Sequence, residues 1–189
     1  MISYQIIEHG KPLQKVLKEA PKPTGTEVLV RVTRSGVCHS DLHIWDGYFD
    51  LGGGKRFYVK DRGCVPPFTM GHEPFGVVEA VGPKAKGVKV GQKRIVFPWI
   101  GCGKCAMCKA ERDNYCTAMR TIGVIRPGAY STHLVVPHPK FEKVSVVQEP
   151  AIVKLPDGRL FCVMRTIAGS PFWTTSSDAG ETWSKPARL

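Results

Sequence analysis

The sequence predicts a mainly β protein made of two unlike segments, and three observations carry that reading. Short runs of alternating apolar residues recur across residues 27–96, the pattern of half-buried strands. Four of the seven cysteines crowd into fifteen residues, as in a loop held together from inside. From about Phe141 the chain changes to closely spaced strands separated by Asp- and Gly-containing turns. The two segments are therefore drawn at residues 1–140 and 141–189.

The elements follow in order. Val28, Val30 and Val32 mark one buried face of a strand over Glu27–Val32, and Cys38 lies just past its end, before a short helix. His72 and Glu73 open a second strand over Phe75–Val81. In the tail, Ile152–Leu155 and Arg159–Arg165 flank Pro156-Asp157-Gly158, a hairpin signal. A second tight turn is expected over Ser176–Trp183, with Trp183 packed beneath it.

Composition narrows the function classes. With 42% hydrophobic and 23% charged residues among 189, the chain is neither disordered nor fibrous. No apolar run approaches the roughly 18 residues of a membrane-spanning helix. The opening MISYQIIEHGKPLQKV has neither the basic start nor the apolar middle of a signal peptide, so a cytoplasmic location is expected. The net charge is +11, and the first 140 residues hold 21 basic and 11 acidic side chains against 6 and 5 in the last 49. Such a balance can serve a polyanion. Here the cations, among them Lys11, Lys22, Lys84, Lys86 and Lys89, are scattered through Pro- and Gly-rich connections, which reads as solvated surface and argues against nucleic acid.

Cys102, Cys105, Cys108 and Cys116 follow the spacing C-x2-C-x2-C-x7-C. Disulfides across two intervening residues would be strained, whereas four thiolates reach one tetrahedral zinc at about 2.3 Å with little chain rearrangement. Gly101 and Gly103 permit the turn, and Lys104, Lys109 and Arg112 offset the surplus negative charge. With all four positions filled by protein, such a zinc is structural.

A second constellation joins Gly36-Val37-Cys38-His39-Ser40-Asp41-Leu42-His43 to Gly71-His72-Glu73. Two strand ends can bring a thiolate and an imidazole to one ion, here a catalytic metal. Each residue taken singly has a plainer reading: a buried cysteine is usually a small hydrophobe, Ser40 can cap the helix, and His43 can be a surface imidazole. The zinc-peptidase pattern is excluded, because no second histidine lies four residues beyond His72 on a helix.

Taken with Val81-Gly82-Pro83, Gly91-Gln92-Lys93, the cysteine lobe and Gly128-Ala129-Tyr130-Ser131, these motifs make residues 1–140 resemble the first part of a medium-chain zinc-dependent alcohol dehydrogenase. The resemblance implies a partly open GroES-like β-barrel with a zinc-stabilised lobe. It makes Cys38 and His72 catalytic zinc ligands, Glu73 a carboxylate able to enter the coordination sphere, and Asp41 the partner that orients His72. It implies hydride transfer from a small alcohol to NAD(P), with zinc as Lewis acid. Ser40 would take the alcohol proton, pass it through the cofactor ribose to His43, and His39 would approach the cofactor pyrophosphate.

Dehydrogenases of this kind continue into a dinucleotide-binding domain, and no G-x-G-x-x-G opening a helix after a strand occurs in these 189 residues. The family's third protein ligand to the catalytic zinc and the strands that complete the barrel are also expected from beyond the matching segment. The chain is accordingly expected to be inactive alone, and unpaired strand edges to favour self-association.

The tail carries a different resemblance. Ser176-Ser177-Asp178-Ala179-Gly180-Glu181-Thr182-Trp183 fits S-x-D-x-G-x-T-W, similar to the Asp-box of sialidase-like β-propellers, and Glu149 and Arg165 keep a sixteen-residue sialidase spacing. A propeller blade needs four strands and several blades close the ring. The tail is therefore expected to form a loosely attached pair of hairpins, part of one blade, or to stay partly disordered with Trp173 and Trp183 exposed, without sialidase activity, in a chain that joins two unrelated fragments. Two other functional classes are set beside the dehydrogenase domain: a zinc-stabilised nucleic-acid- or protein-binding module, and a carbohydrate-active fragment.

Overall fold

In a computed structural model of the chain, the backbone is described for residues 1–143, 147–166 and 172–188, and the side chains for 1–141, 152–164 and 172–188. The chain divides into two compact units, Met1–Lys143 and Val144–Leu189.

The first unit is built on short antiparallel strands. Strands β1 (Ile2–Gln5) and β2 (Gln14–Leu17) form a hairpin. Strand β3 (Val28–Ser35) leads through Cys38 into helix α1 (His39–Asp46), and β4 (Tyr48–Asp50) pairs with β5 (Arg56–Tyr58). Then come β6 (Pro74–Val81), β7 (Lys93–Val96), the short helix α2 (Ala106–Lys109), β8 (His133–Val136) and β9 (Glu142–Lys143). Five of these strands make one sheet in the order β8-β3-β6-β7-β9. The sheet stays open, ending at β8 and β9 among the described residues.

Alternation along β3 is only part of what is observed. Val28 and Val30 are fully buried and Val32 half-buried, as expected, but Leu29 on the opposite face is also buried. Both faces of the strand's first half are covered, so a two-residue period understates its burial. Val28, Val30, Val78, Val96, Leu134 and Val136 share one core cluster with Phe141. At roughly 1.5–3 kcal/mol for each fully buried apolar side chain, this cluster dominates the sheet's stability.

A second cluster lies under α1, where Ile6, Ile44, Val59, Cys64, Phe68 and Met70 pack together. Helix α1 is short, and its ends explain why it forms at all. Asp41 accepts the Cys38 backbone N–H at 3.0 Å, and Gly47, in the left-handed conformation, closes the other end by donating to His43 O at 2.9 Å. Cys38, rather than Ser40, is therefore the capping residue; Ser40 is the second residue of the helix.

The β4–β5 hairpin has Gly52, Gly53 and Gly54 at its tip. Arg56 sits 4.1 Å over the Tyr48 ring, and Arg62, just past the hairpin, 5.2 Å over the Phe57 ring. Arg56 is seated on a ring of its own hairpin and Arg62, in the turn that follows, packs back onto it, in keeping with a solvated surface.

In the second unit, β10 (Val147–Lys154), β11 (Leu160–Thr166), β12 (Phe172–Ser176) and β13 (Ala187–Arg188) form an antiparallel sheet in chain order. Phe161 and Trp173 stack at 5.6 Å. At the 176–183 turn, Ser176 Oγ donates to Asp178 at 2.7 Å, Thr182 N–H donates to Asp178 at 2.9 Å, and the Trp183 indole donates to Gly180 O at 3.0 Å. Trp183 packs against the turn at Gly180 while keeping 37% of its surface exposed. The Glu149 and Arg165 side chains lie outside the described residues.

Candidate functional site

Pairing between β3 and β6 builds the site. Ser35 is in register with Pro74, and Gly36 N–H donates to Glu73 O at 3.1 Å, so the exit of one strand lies beside the entrance of the other. Cys38 follows the first and His72-Glu73 precede the second. One ligand atom each from Cys38, His72 and Glu73 therefore falls within 4.8 Å of the others. Ligands of a four-coordinate zinc stand roughly 3.3–3.8 Å apart, so this set needs only a small contraction to hold such an ion.

Asp41 anchors both sides of this arrangement. Its Oδ2 accepts from Cys38 N–H and from Tyr130 OH, each at 3.0 Å, and its Oδ1 lies 3.2 Å from His72 Nδ1. The last pair is close enough for an ion pair but poorly aligned for a hydrogen bond, and neither atom has another partner among the described residues. The facing carboxylate pushes the metal-free imidazole up to about 9, against the opposing effect of burial. On the other side, the Ser40 backbone N–H draws the Cys38 thiol below its ordinary value, with lesser help from the Ser40 hydroxyl and His72. A thiolate is the form a metal requires. Burial and the Asp41 carboxylate raise the Tyr130 phenol, which therefore remains a donor.

The other predicted residues lie on the same helix. Ser40 Oγ is 3.7 Å from Cys38 Sγ. His43 is half-buried, its ring 4.6 Å from both the His39 and Phe49 rings, so it is not simply a surface imidazole. His39 is exposed, and no hydrogen bond joins Ser40 to His43 among the described residues.

Cys102, Cys105, Cys108 and Cys116 form a separate cluster, all four sulfurs within 4.8 Å of one another. Cys102 and Cys108 sulfurs stand 3.9 Å apart and those of Cys105 and Cys108 3.5 Å, close to the roughly 3.8 Å edge of a four-thiolate zinc tetrahedron. The Lys104 backbone N–H draws the Cys102 thiol down, while burial pushes Cys108 up. Gly101 serves by lack of bulk: a Cβ there would sit 2.4 Å from Cys108 Sγ and 2.3 Å from Asp113 Oδ1. Gly103 instead supplies a turn, at φ +76° with open space around it.

Residues 24–150 match the family model of the alcohol dehydrogenase GroES-like domain. The chain belongs to this family. Its GroES-like domain is 38% identical over 141 residues to an NAD-dependent alcohol dehydrogenase of Saccharolobus solfataricus, covering 75% of this chain and 40% of that protein. Identity to the starvation-sensing protein RspB of Escherichia coli is 35% over 132 residues, covering 70% and 35%. Among solved structures, a cobalt- and zinc-bound thermostable alcohol dehydrogenase from Pyrobaculum aerophilum superposes with a TM-score of 0.60 at 29% identity, covering 72% of this chain and 39% of that one. The chain thus spans about 40% of the length of the S. solfataricus relative and carries an alcohol-dehydrogenase-type oxidoreductase domain. No described helix is long and apolar enough to cross a membrane.

Two site residues escape sequence reasoning. Tyr130 lies within Gly128-Ala129-Tyr130-Ser131, but nothing local signals that its hydroxyl reaches a residue 89 positions away. Asp113 lies inside the cysteine lobe and is buried against Lys140, whose Nζ is 3.1 Å from both carboxylate oxygens. An acidic residue amid Lys109, Arg112 and four cysteines was the available signal.

Proposed function

We propose that the GroES-like domain is the metal-holding, alcohol-activating part of an NAD(P)-dependent medium-chain dehydrogenase that interconverts a small alcohol and its aldehyde or ketone. The observation that carries this reading is the convergence of Cys38, His72 and Glu73 beside a separate four-cysteine lobe. In this reading Cys38 and His72 bind a catalytic zinc, Glu73 stands by as an exchangeable carboxylate, and Cys102, Cys105, Cys108 and Cys116 hold a structural zinc. When bound at the first centre, zinc supplies Lewis acidity that lowers the pKa of the alcohol.

The chain's own residues do the rest. Asp41 fixes the His72 ring and the Cys38 backbone together, so the two ligands keep one separation. Ser40 Oγ, beside the Cys38 sulfur, would receive the alcohol proton, and His43, three residues along the same helix, would release it to water. His39, exposed at the start of the helix, would face the cofactor pyrophosphate. The dinucleotide itself is held by a domain outside these 189 residues.

Metal analysis tests the reading. After loading with zinc and desalting, the chain should retain two zinc ions, and Cys38→Ser and Cys105→Ser should each lose one. Retention of a single ion that Cys38→Ser leaves untouched would overturn the catalytic centre. Sustained NAD or NADP reduction by the purified chain alone would overturn the division of labour.

For the second unit, we infer an Asp-box turn of the sialidase-like type. What supports it is the four-stranded order β10 to β13 together with the Asp178 carboxylate gathering Ser176 and Thr182. No hydrolytic site accompanies it in this reading. Incubated with a sialoside, the chain should release no sialic acid; release that fell on Glu149→Gln would sink that view.

A further inference from the structure

We propose that Tyr130 is a positioning residue for the Cys38/His72/Glu73 centre, acting through Asp41. The proposal rests on the reading of those three residues as a metal site and adds a member that neither ligand spacing nor the family match assigns. Asp41 is only 2% exposed, so its orientation is set by protein contacts rather than by water. Its Oδ2 receives two donors, Cys38 N–H and Tyr130 OH, each at 3.0 Å, which leaves Oδ1 turned toward His72 Nδ1. Without the phenol, one N–H alone would restrain the carboxylate, and its rotation would carry Oδ1 away from the imidazole.

The backbone around Tyr130 is built for the same register. Gly128 N–H donates to Thr69 O at 2.7 Å, Ala129 N–H to Gly71 O at 2.8 Å, and Tyr130 N–H to Met70 O at 2.9 Å, zipping this segment to the residues immediately before His72. Gly71 has φ +97°, and a Cβ there would stand 2.6 Å from Tyr130 Cδ1. At Gly123 or Gly128, a Cβ would meet Gly71 O at 2.4 or 2.3 Å. Gly71 thus lets the ring lie directly on the turn that presents His72, and Gly123 and Gly128 let that turn's backbone pack closely, while the hydroxyl reaches across to the helix that presents Cys38. One side chain touches both halves of the centre.

The test uses the full chain, stripped of metal and titrated with cobalt(II) alone. The visible and near-ultraviolet bands of the two sites are assigned with Cys38→Ser and Cys105→Ser. Tyr130→Phe keeps the ring on Gly71 and removes only the hydroxyl. It should weaken cobalt binding at the Cys38 centre by about tenfold, the lower end of what loss of a ligand's supporting partner costs, and shift that centre's ligand-field bands. The cysteine-lobe bands and affinity should not change, which also reports that the variant is folded. In an Asp41→Asn background the same substitution should have no further effect, because the phenol acts through that carboxylate. Two cobalt ions bound with unchanged affinity and spectrum in Tyr130→Phe would overturn the proposal while leaving the metal centre intact. Cobalt binding confined to the cysteine lobe of the unmodified chain would overturn the centre itself and the proposal with it.

Discussion

Lys140 donates to both carboxylate oxygens of Asp113, each at 3.1 Å, and so ties the four-cysteine lobe to the end of the main sheet. The Asp113 side chain is 7% exposed and that of Lys140 36%. Lys140 also lies 4.7 Å over the ring of Phe141, a member of the sheet's core. Removing the lysine strands a buried carboxylate, but the pair is half open to water, which reduces the penalty from that of a fully buried pair. Lys140→Ala should therefore cost about 1–3 kcal/mol of stability, read as a lower urea midpoint in zinc-saturated protein. Lys140→Met combined with Asp113→Asn should recover part of the loss. Equal midpoints for Lys140→Ala and the unmodified chain would show that the contact only decorates the lobe.

The two glycines of the lobe should respond differently to the same substitution. Gly101→Ala places a methyl 2.4 Å from Cys108 Sγ, so either the sulfur or the backbone must shift and the tetrahedron opens. Gly103→Ala meets no atom within 4 Å and is strained only by its φ of +76°, a cost of roughly 1–2 kcal/mol for a left-handed residue. Zinc competition against a chromophoric chelator should show a large loss of affinity at the cysteine lobe for Gly101→Ala and a small one for Gly103→Ala. The reverse order would contradict the packing argument.

What could be read from the sequence divides along the range of the interactions. The cysteine lobe was legible because its spacing lies within fifteen residues, and the strand containing Val28 and Val30 because alternation is local. Leu29 is buried on the other face for reasons of packing that no two-residue period records. The short β1–β2 and β4–β5 hairpins were not read, since strands of four and three residues carrying Lys15 and Arg56 have too little apolar pattern. Convergence of Cys38 with His72 could be suspected from two motifs at strand ends. Its cause, the register placing Ser35 opposite Pro74, is long-range. The Tyr130–Asp41 contact joins residues 89 apart and leaves no local trace.

Metal removal should expose a difference between two cysteines of the first unit. Cys38 is half-buried, with its thiol drawn below the ordinary value by the Ser40 N–H, whereas Cys64 is fully buried and pushed up to about 11 by desolvation. Since the thiolate is the nucleophile, iodoacetamide at about pH 8, near an ordinary cysteine's pKa of roughly 8.5, should alkylate Cys38 well before Cys64 in chelator-treated protein. Zinc should protect Cys38 and leave the slow rate at Cys64 unchanged. Peptide mapping by mass spectrometry reads both sites in one sample, and comparable rates at the two would contradict the environment described for Cys38.

Acid should loosen the turn around Asp178 within a definable window. Donation from the Thr182 hydroxyl, then from Ser176 Oγ and Thr182 N–H, lowers the Asp178 carboxyl to about 2. In an unfolded chain an aspartate titrates near 3.9. Because the folded value is the lower one, the stabilisation is fully present above about pH 4 and is lost as pH falls through about 2. The reporter is the Trp183 indole N–H, which donates to Gly180 O at 3.0 Å across the same turn. Its NMR resonance should hold its folded position from neutrality down to about pH 4 and then move toward the solvent-exposed value. Asp178→Asn keeps one acceptor oxygen but no titratable charge, so in that variant the acid-dependent movement should largely disappear. A resonance that moves between pH 7 and 5 in the unmodified chain would place the controlling group elsewhere, at a site titrating well above this carboxylate.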